Sequence, residues 1–157
     1  MKKVLAVVSI LMATSAFAEK IGVINTQGVV ANYSETKKVQ QSLETQAKKF
    51  QNDARQREVN LEKEQVALQA KGDKLTDAEK KSFEKRVQDF QTFIQTSQEK
   101  LAKEEFDKMS KINQTLVKAV EKVAKDGKYD YILDGGVVIF GGEDVSEKVL
   151  KAMEASK

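Results

Sequence analysis

The stretch KGDKLTDAEK (residues 71–80) lies inside a charge-dense segment, Glu35 to Asp126, that contains no proline. Gly72 is free to adopt the left-handed conformation that ends a helix. Thr76 is followed three positions later by Glu79, which is the capping-box pattern that starts a new helix. The segment is therefore predicted to form two long antiparallel helices joined by a tight turn.

Apolar residues of the first predicted helix follow a heptad rhythm, with members seven apart at Ala47, Ala54, Leu61, Leu68 and Leu75. The companion seam position holds Phe50 but is then polar at Arg57 and Glu64. Since a coiled coil favours apolar residues at both seam positions, we predict a coiled-coil-like arm whose outer half is loosely specified and flexible.

The returning helix has a stronger apolar stripe near its end, through Phe106, Met109, Ile112, Leu116, Val120 and Val123. Three-and-four spacing of this kind is typical of a helix with one buried face. The stripe is expected to pack against Val39 and Leu43, so the arm should have a firm root.

The flanking segments predict a small sheet. We expect a strand over Lys20–Asn25, a turn over Asn25–Gly28, and Ser34 as the N-cap of the first long helix. Near the other end, alternation and paired glycines predict a β-hairpin, with strands Tyr129–Asp134 and Val137–Phe140 around Gly135-Gly136.

A short helix opening at Asp144 completes the prediction, so the fold class is α+β. Such a small sheet has open edges that self-association would cover. We expect residues 19–34 and 127–157 to form the body, with the arm at residues 35–126 and its tip near 70–77. Oligomer-core candidates are the body's apolar strand residues Ile21, Val23, Ile132, Val138 and Phe140.

Residues 1–18 are typical of a signal peptide, with Lys2 and Lys3 before an apolar run and Ala16-Phe17-Ala18 before Glu19. The alternative, a retained membrane anchor, is disfavoured because the apolar run is too short to span a bilayer. Cleavage would leave 25 basic and 24 acidic residues of the 27 and 24 in the full chain. Nucleic acid is not an expected partner of an exported chain with so little net charge.

Composition excludes several kinds of chemistry. The chain has no histidine and no cysteine, which removes imidazole acid–base catalysis, thiol nucleophiles, disulfides and the usual zinc sites. Carboxylate pairs such as Glu58 and Glu62 are most simply solvated helix surface. The paired glycines lack the GK[ST] ending of a phosphate loop. We therefore predict no catalytic residue, cofactor or metal.

Two groups on the arm remain candidates for binding. Basic side chains near the tip could hold anionic lipid head groups or acidic clients, although a solvated mixed-charge face is the simpler interpretation: Lys71, Lys74, Lys80, Lys81, Lys85 and Arg86. Apolar side chains of the outer arm could contact a client as well as pack within the arm: Leu61, Val66, Leu68, Phe83, Phe90, Phe93 and Ile94.

Both ends of the mature chain resemble the Skp/OmpH family of periplasmic chaperones. The resemblance rests on IGVINTQGVV (residues 21–30) and on YDYILDGGVVIFGGEDVSEKVLKAM (residues 129–153), and it extends over essentially the whole mature chain. Gly28 and Gly135 are smaller than is usual in the family, which affects only local turn geometry.

The resemblance implies a homotrimer in which three helical arms project from a β-barrel-like trimerisation body and enclose a cavity. It implies an ATP-independent holdase that carries unfolded outer-membrane proteins through the periplasm, with lipopolysaccharide as a further partner. The alternative function is a structural coiled-coil adaptor that tethers envelope components. The periodicity of the arm does not choose an oligomer number.

Overall fold

The computed structural model describes residues 19–156 and is mostly helical. The elements of this part of the chain, in order, are β1 (Ile21–Ile24), α1 (Thr26–Asn32), α2 (Ser34–Gln69), a 3-10 turn (Gly72–Lys74), α3 (Asp77–Gly127), β2 (Tyr131–Asp134), β3 (Glu143–Asp144) and α4 (Ser146–Glu154). The predicted signal peptide, residues 1–18, lies outside the described residues.

The arm consists of α2 and α3, which pack along each other. At 1.5 Å per residue, the 36 residues of α2 extend about 54 Å. Near the body, the Gln46 side chain donates a hydrogen bond of 2.8 Å to Glu104. Near the tip, Glu64 and Arg86 form an ion pair of 2.6 Å. Because early residues of α2 meet late residues of α3 and late residues meet early ones, the two helices run in opposite directions.

The tip has the local structure that its residues predict. Gly72 has a φ of +51° with open space around its α-carbon, as a left-handed turn requires. The Glu79 N–H donates to the Thr76 hydroxyl at 3.3 Å, and the Thr76 N–H donates to the Glu79 carboxylate at 3.0 Å. This reciprocal pair is a capping box, and it starts α3 at Asp77.

The body contains an open sheet of three parallel strands in the order β2-β1-β3. Ile21 of β1 stands opposite Tyr131 of β2, and Gly22 stands opposite Glu143 of β3. The N-terminal strand is therefore the central one. Within residues 19–156 of one chain the sheet does not close, so a single subunit does not form the predicted barrel-like body.

The predicted hairpin between Tyr129–Asp134 and Val137–Phe140 is wrong. The strand β2 pairs in parallel with β1, and residues 137–140 form a loop. Asp134 turns the chain out of the sheet, because its side chain accepts the Gly136 N–H at 2.8 Å and its carbonyl accepts the Val137 N–H at 3.1 Å. The third strand is instead Glu143–Asp144.

Two helix starts also differ from prediction. The predicted turn Asn25–Gly28 is the beginning of α1, where the Asn25 side chain accepts the Gly28 N–H at 2.9 Å as an N-cap. Ser34 is the first residue of α2 rather than its cap, and Tyr33 in the cap position offers no side-chain cap. Glu154 of α4 accepts the Ser34 N–H at 2.8 Å and the Ser34 hydroxyl at 2.9 Å.

The core lies where the root of the arm meets the body. Its most buried side chains belong to the C-terminal segment: Val145, Val149 and Met153 have no exposed surface. The remaining buried apolar residues come from β1, α1, α2, α3 and the residues that join them: Ile24, Val29, Tyr33, Val39, Ile112, Leu116, Ala119, Val123 and Tyr129. The predicted firm root is thus formed by α3, which contributes four of these residues, and is completed by α4.

Candidate functional site

The outer arm has no fully buried side chain. Between Val39 on α2 and Ile112 on α3, every side chain keeps at least partial contact with solvent. Of the predicted client-contacting residues, Val66 points away from the helix pair and is 66% exposed. The other six are half-buried along the contact between α2 and α3: Leu61, Leu68, Phe83, Phe90, Phe93 and Ile94.

Polar residues at the seam make specific pairs across the arm, which the heptad pattern alone does not predict. The Arg57 guanidinium lies 4.1 Å from the centre of the Phe93 ring, a cation–π arrangement. Glu64 pairs with Arg86. These contacts have the helix-to-helix specificity that the missing apolar seam residues would otherwise supply.

An open apolar groove of about 220 Å³ lies between α2 and α3 in the middle of the arm. Ala47 and Ala54 occupy seam positions that are too small to fill it. The apolar lining is Ala47, Phe50, Ala54, Phe93, Ile94 and Leu101, and the uncharged polar side chains Gln51, Ser97 and Gln98 complete it. No charged residue belongs to this lining.

The tip lysines and arginine do not form one uniform basic patch. Lys71 pairs with Glu79, Lys80 lies 3.8 Å from Asp77, and Arg86 pairs with Glu64. The hydrogen bond from Lys71, with those from Thr76, lowers the pKa of Glu79 to about 2. The remaining three are exposed and have no carboxylate within ion-pair distance in residues 19–156: Lys74, Lys81 and Lys85.

The loop after β2 exposes a run of apolar side chains. Val137 is 76% exposed, Phe140 is 97% exposed, and Ile139 is fully exposed. Among the five predicted oligomer-core residues, only Phe140 is exposed. The chain itself partly covers the other four: Ile21, Val23, Ile132 and Val138. Val137 and Ile139 are not among the predicted oligomer-core residues, because strand alternation would place them on the face opposite Val138 and Phe140, whereas residues 137–140 form a loop.

A polar cluster around Tyr129 fastens the end of α3 to the body. Lys20 lies over the Tyr129 ring at 4.2 Å, and Lys148 donates to its hydroxyl at 2.9 Å. Lys148 also donates to Glu143 at 2.5 Å, which is the main reason that the pKa of Glu143 is lowered and that of Lys148 raised. A β-carbon at Gly127 would lie 2.2 Å from Tyr129, so this position requires glycine.

Two properties of the described residues concern metal binding and membrane crossing. Within residues 19–156, acidic, histidine and cysteine side chains form no group of three or more that could hold a metal ion. No helix in the same range combines the length and apolar character needed to cross a membrane.

Comparison with known proteins now identifies the fold. Residues 20–153 match the family described as Outer membrane protein (OmpH-like). The chain belongs to this OmpH-like family. The resemblance predicted from the two ends of the chain is therefore confirmed.

Relatives agree with this membership. A Skp-like protein of Pseudomonas aeruginosa is 32% identical over 145 residues, which cover 87% of this chain and 84% of the relative. A protein named Chaperone protein Skp from Yersinia enterocolitica is 25% identical over 164 residues, covering 98% of this chain and all of the relative.

A solved structure shows the same fold. The Caulobacter crescentus protein, described as an OmpH-like outer membrane chaperone, has a TM-score of 0.67 and 19% identity, with coverage of 89% of this chain and 86% of that protein. At this identity the match concerns the fold alone.

Proposed function

We propose that this chain is an ATP-independent periplasmic holdase. It would bind unfolded outer-membrane proteins in a cavity between helical arms and prevent their aggregation during transit to the outer membrane. Membership of the OmpH-like family and relatives named as Skp chaperones support a chaperone role. The predicted signal peptide at residues 1–18 supports export.

The observation that carries the proposal is the exposed apolar loop at the foot of the arm. Val137, Ile139 and Phe140 leave large apolar surfaces in water. Their burial between copies would contribute about 25 cal/mol per Å², against the entropic cost of association. We propose a homotrimer whose body joins through this loop and the neighbouring strands, with contributions from the other predicted core residues: Ile21, Val23, Ile132 and Val138.

Joining the bodies would bring several arms together around one space. Each arm offers half-buried apolar side chains rather than a deep pocket, so each contact with a client is weak. Several weak contacts acting together raise the overall affinity while each remains easily broken. This combination suits a protein that must hold an unfolded chain and later release it without nucleotide hydrolysis.

The exposed lysines of the tip indicate a second kind of partner. Lys74, Lys81 and Lys85 are exposed and lack ion-pair partners among residues 19–156. We propose that these three, rather than all six predicted basic residues, attract lipopolysaccharide or another anionic lipid surface. Long-range attraction of this kind weakens as salt is added.

The mass of the native mature protein tests the oligomer, and the same measurement with unfolded client tests enclosure. A trimer that takes up one client chain supports the proposal, and a monomer at working concentration contradicts it. Replacing Phe140 with Ser should shift the mass towards the monomer, with Ser substituted for the exposed Val66 on the outer arm as the matched control.

Light scattering without nucleotide tests the chaperone activity itself. The mature protein should suppress aggregation of two unrelated unfolded outer-membrane proteins. A coiled-coil adaptor would instead bind one folded partner and leave both aggregation curves unchanged.

A further inference from the structure

We propose that the uncharged groove in the middle of the arm binds the apolar face of an extended segment of client polypeptide. The inference rests on the holdase function and assigns a particular contact site to it. The site is the groove between α2 and α3 with Ala47 and Ala54 on its floor.

The groove owes its existence to two small side chains. Ala47 and Ala54 lie one heptad apart, at positions where a tightly packed helix pair would carry larger residues. Facing them on α3, Phe93, Ile94 and Leu101 remain only half-buried. Apolar surface is therefore left uncovered inside the arm, although larger residues at 47 and 54 would cover it.

Charge distinguishes this groove from its neighbour. The lining contains only apolar side chains and the uncharged Gln51, Ser97 and Gln98. A second groove of about 310 Å³ lies nearer the tip and is lined by Arg57, Glu64, Arg86 and Asp89 among others. A charged client side chain would lose hydration against the lining of the first groove. The charged groups at the ends of that groove, Arg57 and Glu104, already contact Phe93 and Gln46, so the lining favours uncharged side chains.

Polar bridges close both ends of the groove. At the end nearer the body, Gln46 is hydrogen-bonded to Glu104, and at the end nearer the tip, Arg57 stacks on Phe93. The lining extends from Ala47 to Ala54 on α2 and from Phe93 to Leu101 on α3, which is about 10–12 Å at 1.5 Å per residue. An extended chain at about 3.3 Å per residue would place three or four residues in that length.

Length and charge together specify the occupant. Three or four extended residues present about two side chains to one face, because side chains alternate along a strand. Transmembrane β-strands alternate apolar and polar residues in the same way. Their apolar face matches an uncharged groove of this length, and the amides of Gln51 and Gln98 on the exposed rim are suited to hydrogen-bond the peptide backbone.

Filling the groove tests the assignment. The probe is a fluorescent peptide with the sequence Leu-Thr-Leu-Thr-Leu, compared with a peptide in which lysine replaces each leucine. Substituting Ala54→Leu in the mature protein should weaken binding of the leucine peptide by about tenfold or more, since burial of at least one large side chain is lost. Ala67→Leu, at an exposed position of the same helix, should leave binding unchanged.

The reverse outcomes overturn the assignment. Equal binding of the two peptides, or equal binding by the Ala54→Leu and Ala67→Leu proteins, would show that the groove does not hold the peptide. Circular dichroism and thermal melting establish that both proteins are folded.

Photo-crosslinking provides a test that does not require a larger side chain inside the groove. A photoreactive phenylalanine at Gln51 or Gln98, on the rim, should label an unfolded outer-membrane protein at least several-fold more than one at the exposed Gln56, outside the lining. Equal labelling overturns the assignment, and so does labelling of a second copy of this chain in preference to the client. Failure to suppress aggregation would contradict the holdase function separately, because peptide binding is measured without it.

Discussion

The root and the outer half of the arm belong to the same two helices but are stabilised differently. At the root, Leu116 and Val123 of α3 are buried against α2 and α4. Farther out, half-buried apolar residues alternate with polar pairs such as Glu64–Arg86. The root is a small globular core, whereas the outer arm is a helix pair stabilised by partly exposed contacts between its two helices. The comparison implies that the two parts respond differently to mutation, salt and pH.

The largest contrast should come from removing one leucine side chain from each part. Leu116→Ala, at the buried root, should reduce the free energy of unfolding by about 2–5 kcal/mol because it leaves a cavity. Leu61→Ala, at a half-buried outer position, should cost clearly less because solvent already reaches the site. Urea unfolding at one fixed protein concentration measures both. Equal losses would show that the outer arm shares the core of the root.

The next effect concerns the cap that α4 provides to α2. Glu154→Ala should remove the acceptor of the Ser34 N–H and cost about 1 kcal/mol, as loss of an N-cap does. Hydrogen exchange in the first turn of α2 should accelerate. Glu147→Ala, which removes an exposed carboxylate from the same helix, is the matched control. Similar exchange in both variants would mean that Glu154 is not the cap that holds the root.

A smaller effect is expected from the outer ion pair. In a double-mutant cycle, Glu64→Gln and Arg86→Gln should show a coupling of about 0.2–1 kcal/mol, the range for exposed pairs. The coupling should decrease in high salt. Two results would contradict the distinction between a polar outer arm and an apolar root. One is a coupling free energy as large as the loss of unfolding free energy in Leu116→Ala, and the other is a coupling that does not change with salt concentration.

The smallest effect on overall stability should come from the titration of Glu79, and it should be confined to the tip. Lys71 and Thr76 lower the pKa of Glu79 to about 2 from an ordinary value of 4.5. The charged carboxylate therefore contributes fully above about pH 4.5, and its contribution is lost as the pH falls towards 2. The protection factor of the Glu79 amide, which corrects for the pH dependence of intrinsic exchange, should fall over this interval, and that of Leu116 should fall less. Thr76→Ala should reduce the pH-dependent difference, and Lys71→Ala combined with Thr76→Ala should abolish it. Parallel changes at Glu79 and Leu116 would place the effect in the whole protein.

Local chemistry was sufficient to predict the helices of the arm and its tip. Gly72, Thr76 and Glu79 act within a few residues of one another, so their pattern contains the whole interaction. Likewise, the apolar spacing near Ile112 and Leu116 predicted the firm root. Phe106, however, belongs to the same predicted stripe and is 73% exposed, because nothing in residues 19–156 packs over the face of α3 that carries it.

Contacts between residues far apart in the sequence could not be predicted from local patterns. The hairpin prediction at Gly135-Gly136 failed because β2 pairs with a strand more than a hundred positions earlier, and turn chemistry contains no information about that strand. The prediction of Ser34 as a cap is wrong because Glu154, which accepts the Ser34 N–H, comes from the far end of the chain. The pairing of Arg86 with Glu64 is a distant contact of the same kind, because the two residues lie on different helices.

The position of β1 in the middle of the sheet has a consequence for how the chain acquires its structure. This strand leads the described chain, yet both of its neighbours, residues 131–134 and 143–144, come from the last fifth of the polypeptide. The two long helices need only the nearby turn in order to pair, but the sheet must wait until synthesis is almost finished. Contacts between such distant residues form slowly because a long loop has to close first. A truncated chain ending before residue 131 would keep a helical hairpin and leave its leading strand with nothing to pair with.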